Sequence, residues 1–445
     1  MIACASARRV QCITLLGILA RSGEVMSIAP VSNVEALSAE AATMAAEIES
    51  ALNGHSLSCW FPRCIDDHGG GFLQNFDRDW THTPDVSKSL VFQSRMTWVT
   101  ATVARRRSEY AEYRHWATRG VEFLEASFWD SEYGGLWFRS AEEPEKHSYG
   151  IAFAIFAAAA CYRLTGDESV LSFATRVLEW WDSCAHDDQA CGYFETLSRD
   201  GSPVQSHPDR RLDVISTPYG QRSSNTLLHI IEALTELYFA HPTTHVSRRL
   251  EEVLGLLEDV LLRHSGRLYK FYDRNWKVTD RTVSFGHDVE AAYLADRARR
   301  ALGWNRESPA ENLAERALRD GTDRRWGGMY LERRAYRLSQ PKKKVWWVQA
   351  EALNTLILLH ERHHESTMRH FELLQKYWSF VRSCQLDRRY SGWLDEVSRD
   401  GTQVVQARKG HAWKACYHEV RALLNVVDGL RAVYTTHEER DRTPD

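Results

Sequence analysis

Two apolar stretches of the sequence each contain a histidine three residues before a charged side chain. They are His287 with Glu290, and His418 with Arg421. Residues three apart lie on one face of a helix, so a carboxylate at that spacing can sit beside the imidazole and raise its basicity. Imidazole titrates near neutral pH and can take or give a proton there. We predict that the two histidines act on opposite faces of a bound substrate.

Other apolar stretches carry polar residues at the corresponding place, near their starts. Asn225, His229 and Glu232 stand at i, i+4 and i+7, which is one helical face. The rest of this set is Arg95, Tyr149, Trp346, Trp347, Gln349 and Glu351. Any one histidine taken alone is better explained as a core residue with satisfied hydrogen bonds. Ionisable groups are costly to bury unless paired or functional, so their convergence in six stretches predicts an active site.

A repeated glycine-containing turn indicates how these stretches are arranged. A glycine followed closely by an aromatic or bulky apolar residue occurs in six copies, at Gly70, Gly134, Gly192, Gly266, Gly327 and Gly392. Each interval has room for two helices, and six helix pairs can close into a ring without exposed ends. The sequence therefore predicts an all-α (α/α)6 barrel, a toroid of six inner and six outer helices with short hairpin-like loops at one end.

The helical segments between the turns are of two kinds. Segments that lack a charged face are expected to be the inner helices, covering 89–105, 149–164, 224–239, 286–300, 345–360 and 413–434. More amphipathic segments are expected to be outer helices, and they include 110–128, 170–182, 247–263 and 368–384. The N-terminal ends of the inner helices should then meet at one cavity that contains the polar set.

Length and composition favour one large domain. The chain has 445 residues and 43% hydrophobic content, and no Pro/Ser-rich linker divides it. We expect a leader over 1–30 and a single catalytic barrel over 31–438. The net charge of −4 argues against a nucleic-acid partner. No stretch reaches the ~20 apolar residues of a membrane span. The 16 tryptophans exceed what packing requires and suit the apolar faces of sugar rings.

The number and spacing of the cysteines indicate whether the chain is in a reducing or an oxidising compartment of the cell. The nine cysteines are scattered, without a CxxC pair or a zinc-type spacing. This usage predicts a reduced, cytoplasmic chain. The start of the chain has the outline of a weak export signal, with Arg8 and Arg9 before a short apolar run. We expect a disordered or over-extended start rather than export. A monomer and a homodimer are both compatible with the sequence.

Several segments resemble those of a known family. The segments are 284–291 (SFGHDVEA), 413–421 (WKACYHEVR), 146–154 (KHSYGIAFA), 92–98 (FQSRMTW), 225–229 (NTLLH) and 346–352 (WWVQAEA). In order and in residue type they resemble the N-acylglucosamine 2-epimerase superfamily, with the cellobiose 2-epimerase and mannose isomerase branches most similar. The resemblance extends over about residues 35 to 435. That family adopts an (α/α)6 barrel, in agreement with the repeat count.

The resemblance implies roles for individual residues. His287 and His418 would be the two acid/base histidines, with Glu290 as the partner of His287. His229 would assist ring opening or stabilise the intermediate, and Arg95 would hold sugar oxygens and offset the charge of an enediolate. The other implied substrate-binding residues are Tyr149, Asn225, Trp347, Glu351, Trp413 and Arg421, of which the two tryptophans would be aromatic walls.

The reaction implied by the resemblance is inversion at C2 of a glucose- or mannose-type reducing-end aldose, free or β1,4-linked as in cellobiose. It passes through a cis-enediolate and needs no metal or other cofactor. Return of the proton to C1 would instead give a ketose, so isomerisation of mannose to fructose is the alternative. Three further alternatives remain open. They are a glycoside hydrolase using two of Asp288, Glu290, Glu351 and Asp395, a metalloenzyme based on His287-x-x-Glu290 or the charged run 360–365, and a non-catalytic sugar-binding barrel.

Overall fold

The structure of the protein is a computed structural model that describes residues 31–139, 145–305, 307–333, 343–363, 367–406 and 408–440. The expected leader over 1–30 lies outside the described residues, as does part of the charged run 360–365. The chain divides into Met1–Glu40, of which residues 31–40 are described as helical, and a second compact unit, Ala41–Asp445. A single barrel over 31–438 stays a prediction.

Twelve helices of at least twelve residues follow one another in the described part of the chain. They are α1 Val31–Leu52, α2 Leu90–Arg106, α3 Tyr113–Phe128, α4 Ser148–Thr165, α5 Glu168–Ala185, α6 Ser224–Ala240, α7 Thr244–Gly255, α8 Phe285–Leu302, α9 Pro309–Gly321, α10 Trp346–Arg362, α11 Thr367–Phe380 and α12 Tyr417–Arg440. Short π-helical segments extend α1, α7 and α11.

The even-numbered helices form a closed inner ring. Each packs against the next one in the series, and α12 packs against α2. Each inner helix from α2 to α10 also contacts the outer helix that follows it. The sixth outer position belongs to the part of α1 in the second unit, residues 41–52, where Glu49 pairs with Arg431 of α12 and Glu47 pairs with Arg382 just beyond α11. The predicted (α/α)6 toroid is confirmed.

The inner helices are apolar on all sides because they are covered on all sides. The clearest example is α4, in which every residue from Ser148 to Cys161 is buried. This is also the one helix, among the described residues, that is long and apolar enough to cross a membrane, and 78% of its apolar window is buried inside the structure. The apolar composition of α4 is explained by its burial on all sides as an inner helix of the ring.

Short antiparallel strands lie between the helices. They are β1 Glu145–His147, β2 Thr196–Ser198, β3 Arg222–Ser223, β4 Phe271–Tyr272, β5 Val278–Asp280, β6 Val283–Ser284, β7 Glu332–Arg333, β8 Lys344–Val345, β9 Glu396–Val397 and β10 Val404–Gln406. Strand β1 pairs with β2 and β6 with β7, whereas β3-β4-β5 and β10-β9-β8 form three-stranded sheets. The expected hairpin-like loops are therefore present.

An aspartate closes five of the six glycine turns, a feature that the sequence analysis did not identify. In the second copy the Asp130 amide donates to the Gly135 carbonyl at 2.9 Å, and the Gly134 amide donates to the Asp130 carbonyl at 2.8 Å. Both glycines have positive φ, which favours residues without Cβ. A buried cation then binds each aspartate, in the pairs Lys88–Asp66, Lys146–Asp130, Arg222–Asp187, Lys344–Asp323 and Lys409–Asp387.

A backbone hydrogen bond joins the first residue of five inner helices to the hairpin of the next repeat. The donor and acceptor pairs are Leu90 to Phe138, Ser148 to Glu195, Ser224 to Lys270, Phe285 to Leu331, and Trp346 to Asp395. Helix starts leave amide groups without intrahelical partners, and these bonds satisfy one of them in each helix. The inner-helix N-termini and the hairpins consequently share one end of the barrel.

The predicted helix bounds agree with the structure at most ends. The main difference is at the last inner helix, which was expected to begin at Trp413 but begins at Tyr417. Trp413 instead lies in the turn before α12, where its amide donates to Nδ1 of His411 at 3.2 Å.

Candidate active site

A cavity of about 270 Å3 lies where the inner-helix N-termini meet. Nine of the predicted site residues line it, namely Arg95, Tyr149, Asn225, His229, His287, Glu290, Trp347, Trp413 and His418. They come from all six inner helices or the turns just before them. A larger cavity of about 710 Å3 between α9 and α11 is lined by no histidine. The chemistry that the sequence predicts is therefore in the smaller cavity.

The other two predicted residues, Glu351 and Arg421, are buried behind the cavity wall. The Arg421 guanidinium binds three glutamates from three helices: Glu232, Glu290 and Glu351. The Arg421 Nη2 atom lies 2.5 Å from Glu290 and 2.7 Å from Glu351. Glu232 and Glu351 of this cluster bind the histidines in front of them and can orient their rings.

Two of the histidines are held by carboxylates through Nδ1. The His418 Nδ1 atom lies 2.7 Å from Glu351, and the His229 Nδ1 atom lies 2.9 Å from Glu232. If each Nδ1 donates to its carboxylate, the neutral ring presents Nε2 as an acceptor. Burial opposes ionisation of Glu232, but Arg421 and His229 outweigh it and lower its pKa to about 2.

His287 differs from the other two because its Nδ1 has no hydrogen-bond partner among the described residues. The expected contact between His287 and the Glu290 carboxylate, three residues further on, does not form. Glu290 instead accepts from Arg421 and lies 4.0 Å from Nδ1 of His418. The reason is electrostatic, because a guanidinium offers a buried carboxylate a stronger, charge-assisted bond than a neutral imidazole does.

Both candidate acid/base histidines are neutral at neutral pH. Burial, then His229 and Lys270, lowers the pKa of His287 to about 3. Burial, then Arg95 and Arg421, holds the pKa of His418 well below its usual value. An unprotonated imidazole can accept a proton, so each ring is in the form that a general base requires.

Trp347 lies between these two imidazoles. Its ring centroid is 5.1 Å from that of His287 and 5.7 Å from that of His418. An aromatic face is a suitable surface for the apolar face of a sugar ring. A sugar bound against Trp347 would therefore lie close to the imidazoles of both His287 and His418.

Arg95 is a buried cation that lies over the rings of Phe153 and Tyr417, 4.6 and 5.3 Å from their centroids. Its guanidinium donates to the Trp413 carbonyl at 2.8 Å and to the Tyr149 hydroxyl at 2.9 Å, and both acceptors are neutral. It forms no ion pair with any residue that the structure describes, and its Nε has no partner there. A buried charge without a counter-ion is costly, so this site is suited to a ligand that is or becomes anionic.

The comparisons with known proteins agree with this geometry. The sequence profile of the N-acylglucosamine 2-epimerase (GlcNAc 2-epimerase) family matches residues 70–422. The chain belongs to this family. A cellobiose 2-epimerase from Bacteroides fragilis is 28% identical over 392 residues, which are 86% of this chain and 98% of that protein. A D-mannose isomerase from Marinomonas mediterranea is 23% identical over 411 residues, covering 84% and 95%.

A solved structure also resembles this chain over most of its length. The structure of a sugar epimerase from a ruminal bacterium superposes with a TM-score of 0.76 at 28% identity, and it covers 86% of this chain and 98% of that one. The protein is thus an enzyme of the sugar epimerase and isomerase class.

Among the described residues of this epimerase-family chain, two clusters each bring together three groups that could hold a metal ion. In the first, Glu290, Glu351 and His418, the Arg421 guanidinium already lies among the carboxylates. In the second, His147, Glu195 and Asp213, Nδ1 of His147 accepts from the Tyr149 amide at 3.1 Å. Its Nε2 therefore carries the proton and cannot also bind a metal. Neither cluster fits a metal ion well.

Trp346, a member of the polar set, also lines the cavity of this epimerase-family chain. Five lining residues were not predicted: Ile215, Lys270, Ser284, Leu331 and Glu332. Two further residues, Tyr417 and Glu232, complete the buried cluster. Lys270 and Leu331 occupy equivalent positions in successive repeats, each accepting a bond from an inner helix start. The repeat could have indicated them, but no sequence signal points to Ile215.

Proposed function

We propose that the protein is a sugar 2-epimerase. It inverts C2 of a glucose- or mannose-type reducing-end aldose, free or β1,4-linked as in cellobiose, by proton transfer between His287 and His418. The observation that carries the proposal is the Arg95 cation, which has no ion-pair partner among the described residues, in one cavity with two neutral histidines. Proton removal next to a carbonyl creates an oxyanion, which such a cation stabilises.

The steps follow from the roles of these groups. His229, held by Glu232, assists opening of the sugar ring. One of the two histidines then removes the proton from C2, and Arg95 binds the oxygens of the cis-enediolate. The other histidine takes a proton from solvent and gives it to C2 from the opposite face. The first histidine releases its proton to solvent, so both rings end neutral again. One C–H bond breaks and one forms, so atoms balance without a redox partner.

The size of the cavity supports a small substrate. Its volume of about 270 Å3 is slightly below the ~300–1,000 Å3 typical of pockets for drug-sized ligands. One sugar ring on Trp347 suits this volume, and a second sugar would extend past Trp413, which is 36% exposed. Disaccharides such as cellobiose and single aldoses are both compatible with that arrangement.

Aldose–ketose isomerisation is the second candidate, because return of the proton to C1 uses the same residues. The similarity to a mannose isomerase favours testing it. A glycoside hydrolase requires two carboxyl groups facing the bond that is cut. Glu290 is bound to Arg421 and Glu351 lies behind the wall, so that alternative has less support.

The deciding experiment is incubation of cellobiose, glucose and mannose in D2O, followed by NMR. We expect deuterium at C2 together with the 2-epimer. A ketose with deuterium at C1 would make the enzyme an isomerase, and new reducing ends would make it a hydrolase. Recovery of every sugar without deuterium would refute the proposal for these substrates.

Two statements about context remain proposals. We propose a cytoplasmic enzyme that binds a mono- or disaccharide and works as a monomer or a homodimer. The seven cysteines that the structure describes are all unpaired, which supports a reducing compartment. Sedimentation analysis of the purified chain would give the oligomeric state.

A further inference from the structure

Two histidines outside the catalytic set occupy matching positions beside the cavity walls. His147 precedes Tyr149 by two residues, and its Nδ1 accepts from the Tyr149 amide at 3.1 Å. His411 precedes Trp413 by two residues, and its Nδ1 accepts from the Trp413 amide at 3.2 Å. Both Tyr149 and Trp413 line the cavity. Each histidine therefore fixes the backbone of a wall residue.

The other nitrogen of each ring is bound by an aspartate. Nε2 of His147 lies 2.9 Å from Asp213, and Nε2 of His411 lies 2.8 Å from Asp395. Asp213 is anchored in turn by the amides of Ile215 and Thr217, at 3.0 and 2.9 Å. Both histidines are thus held at two points.

The two histidine–aspartate pairs meet at Arg95. The Tyr149 hydroxyl accepts from Nη2 of Arg95, and the Trp413 carbonyl accepts from Nη1. A continuous series of contacts therefore crosses the cavity wall. We call it the belt, and its members are Asp213, His147, Tyr149, Arg95, Trp413, His411 and Asp395.

The belt requires one tautomer of both histidines. Because Nδ1 of each ring faces an amide N–H, it must be an acceptor, so the proton is on Nε2 and points to the aspartate. A ring protonated on both nitrogens would direct a second N–H at that amide. The geometry therefore assigns the Nε2–H tautomer to the neutral form of both rings. Burial opposes protonation of His147, but Asp213 and then Glu195 outweigh it and raise its pKa.

We propose that His147 and His411 are positioning residues that set the orientation of the Arg95 guanidinium through Tyr149 and Trp413. The proposal deepens the proposed function and rests on it, because the orientation of Arg95 matters only if Arg95 binds the enediolate. A misplacement of a catalytic group by about 1 Å can cost roughly 10²-fold in rate. Holding the Arg95 guanidinium at two points, by Tyr149 and Trp413, would prevent such a misplacement.

The first test needs no activity. Long-range 1H–15N NMR on the purified full chain at pH 7.5, assigned with the His147→Asn and His411→Asn variants, gives the tautomer of each ring. We expect Nε2–H for both. An Nδ1–H ring or a doubly protonated ring at either position overturns the proposal. This result stands even if the protein interconverts none of the sugars tested, which would refute the proposed function alone.

The second test is kinetic. In His411→Asn and His147→Asn the side-chain amide oxygen can still accept the backbone N–H but cannot reach the aspartate. We expect kcat to fall about 10–100-fold in variants that circular dichroism shows to be folded. The matched control is His245→Asn, because His245 also pairs with an aspartate, Asp182, at 2.7 Å, but on an outer helix. The control should keep its kcat, and equal losses in all three variants would overturn the proposal.

A double-mutant cycle separates positioning from a merely structural role. Tyr149→Phe removes the hydroxyl through which His147 reaches Arg95. In that background His147→Asn should cost less than about 3-fold in kcat. The same fold-loss in both backgrounds would mean that His147 acts independently of Arg95, which contradicts the proposal.

Discussion

Nδ1 of His418 lies 2.7 Å from Oε1 of Glu351. The two residues come from successive inner helices, α12 and α10, so the contact exists only because these helices pack side by side in the ring. Its effect is to present Nε2 of a neutral imidazole to the cavity, where the pKa of His418 is held well below its usual value by burial first and then by Arg95 and Arg421. The barrel thus prepares a general base from residues far apart in the sequence.

The histidine pair is tested by His287→Gln and His418→Gln. Each should lower kcat by about 10²–10⁴-fold, the usual contribution of one general acid or base. The measurement is epimer formation and deuterium incorporation by NMR, with circular dichroism to verify folding. The same outer-helix control, His245→Asn, should keep its activity. Turnover near that of the wild type in either folded variant would remove that histidine from the mechanism.

The Arg95 guanidinium is tested by Arg95→Lys. A planar guanidinium can hold two oxygens at once, whereas an ammonium offers a point charge. We expect kcat to fall about 10²-fold with little change in Tm, because Arg95 has no counter-ion to lose. A lower Tm with preserved kcat would instead indicate a structural role.

The buried cluster is tested by Arg421→Met. Removal of this cation leaves Glu232, Glu290 and Glu351 without compensation, and breaking a buried ion pair in this way costs about 3–5 kcal/mol. The measurement is the free energy of unfolding from urea titration. The control is Arg431→Met, which breaks a partly exposed pair with Glu49 and should cost less than about 1 kcal/mol. Similar losses of unfolding free energy in both variants would contradict the role of Arg421 as the cation that stabilises the three buried glutamates.

The acid stability of the protein is tested through His287. Its pKa is about 3 in the folded protein, below the value of about 6.5 in an unfolded chain. The unfolded state therefore binds the extra proton between these values, and the free energy of unfolding falls as the pH drops below about 6.5. One such group contributes a slope of up to about 1.4 kcal/mol per pH unit. In His287→Gln this slope, measured between pH 6 and pH 4, should be smaller by up to that amount. An unchanged slope would mean that His287 titrates normally.

Metal independence is tested by exhaustive dialysis against EDTA. We expect kcat to be retained, because Arg421 lies among the carboxylates of the catalytic cluster and His147 has its Nε2 proton directed at Asp213. Loss of activity that a divalent ion restores would favour the metalloenzyme alternative.

The sequence by itself was sufficient for the repeat, the closed ring and most of the cavity lining. The signals are the glycine turns, the helical periodicity and the change from amphipathic to wholly apolar segments. Each depends only on residues close together in the sequence, so it can be recognised without the tertiary structure. The pair His229 and Glu232 illustrates this, since a spacing of three residues predicted one face and the structure gives a 2.9 Å contact.

The pair His287 and Glu290 has the same spacing, yet only the tertiary structure decided its contacts. Glu290 binds Arg421 of another helix, and His287 keeps an unpartnered Nδ1. Periodicity determines which side chains share a helix face, but it does not determine which charges the neighbouring helices bring to that face. A buried carboxylate pairs with the strongest donor within reach, and that donor is known only once the ring has closed.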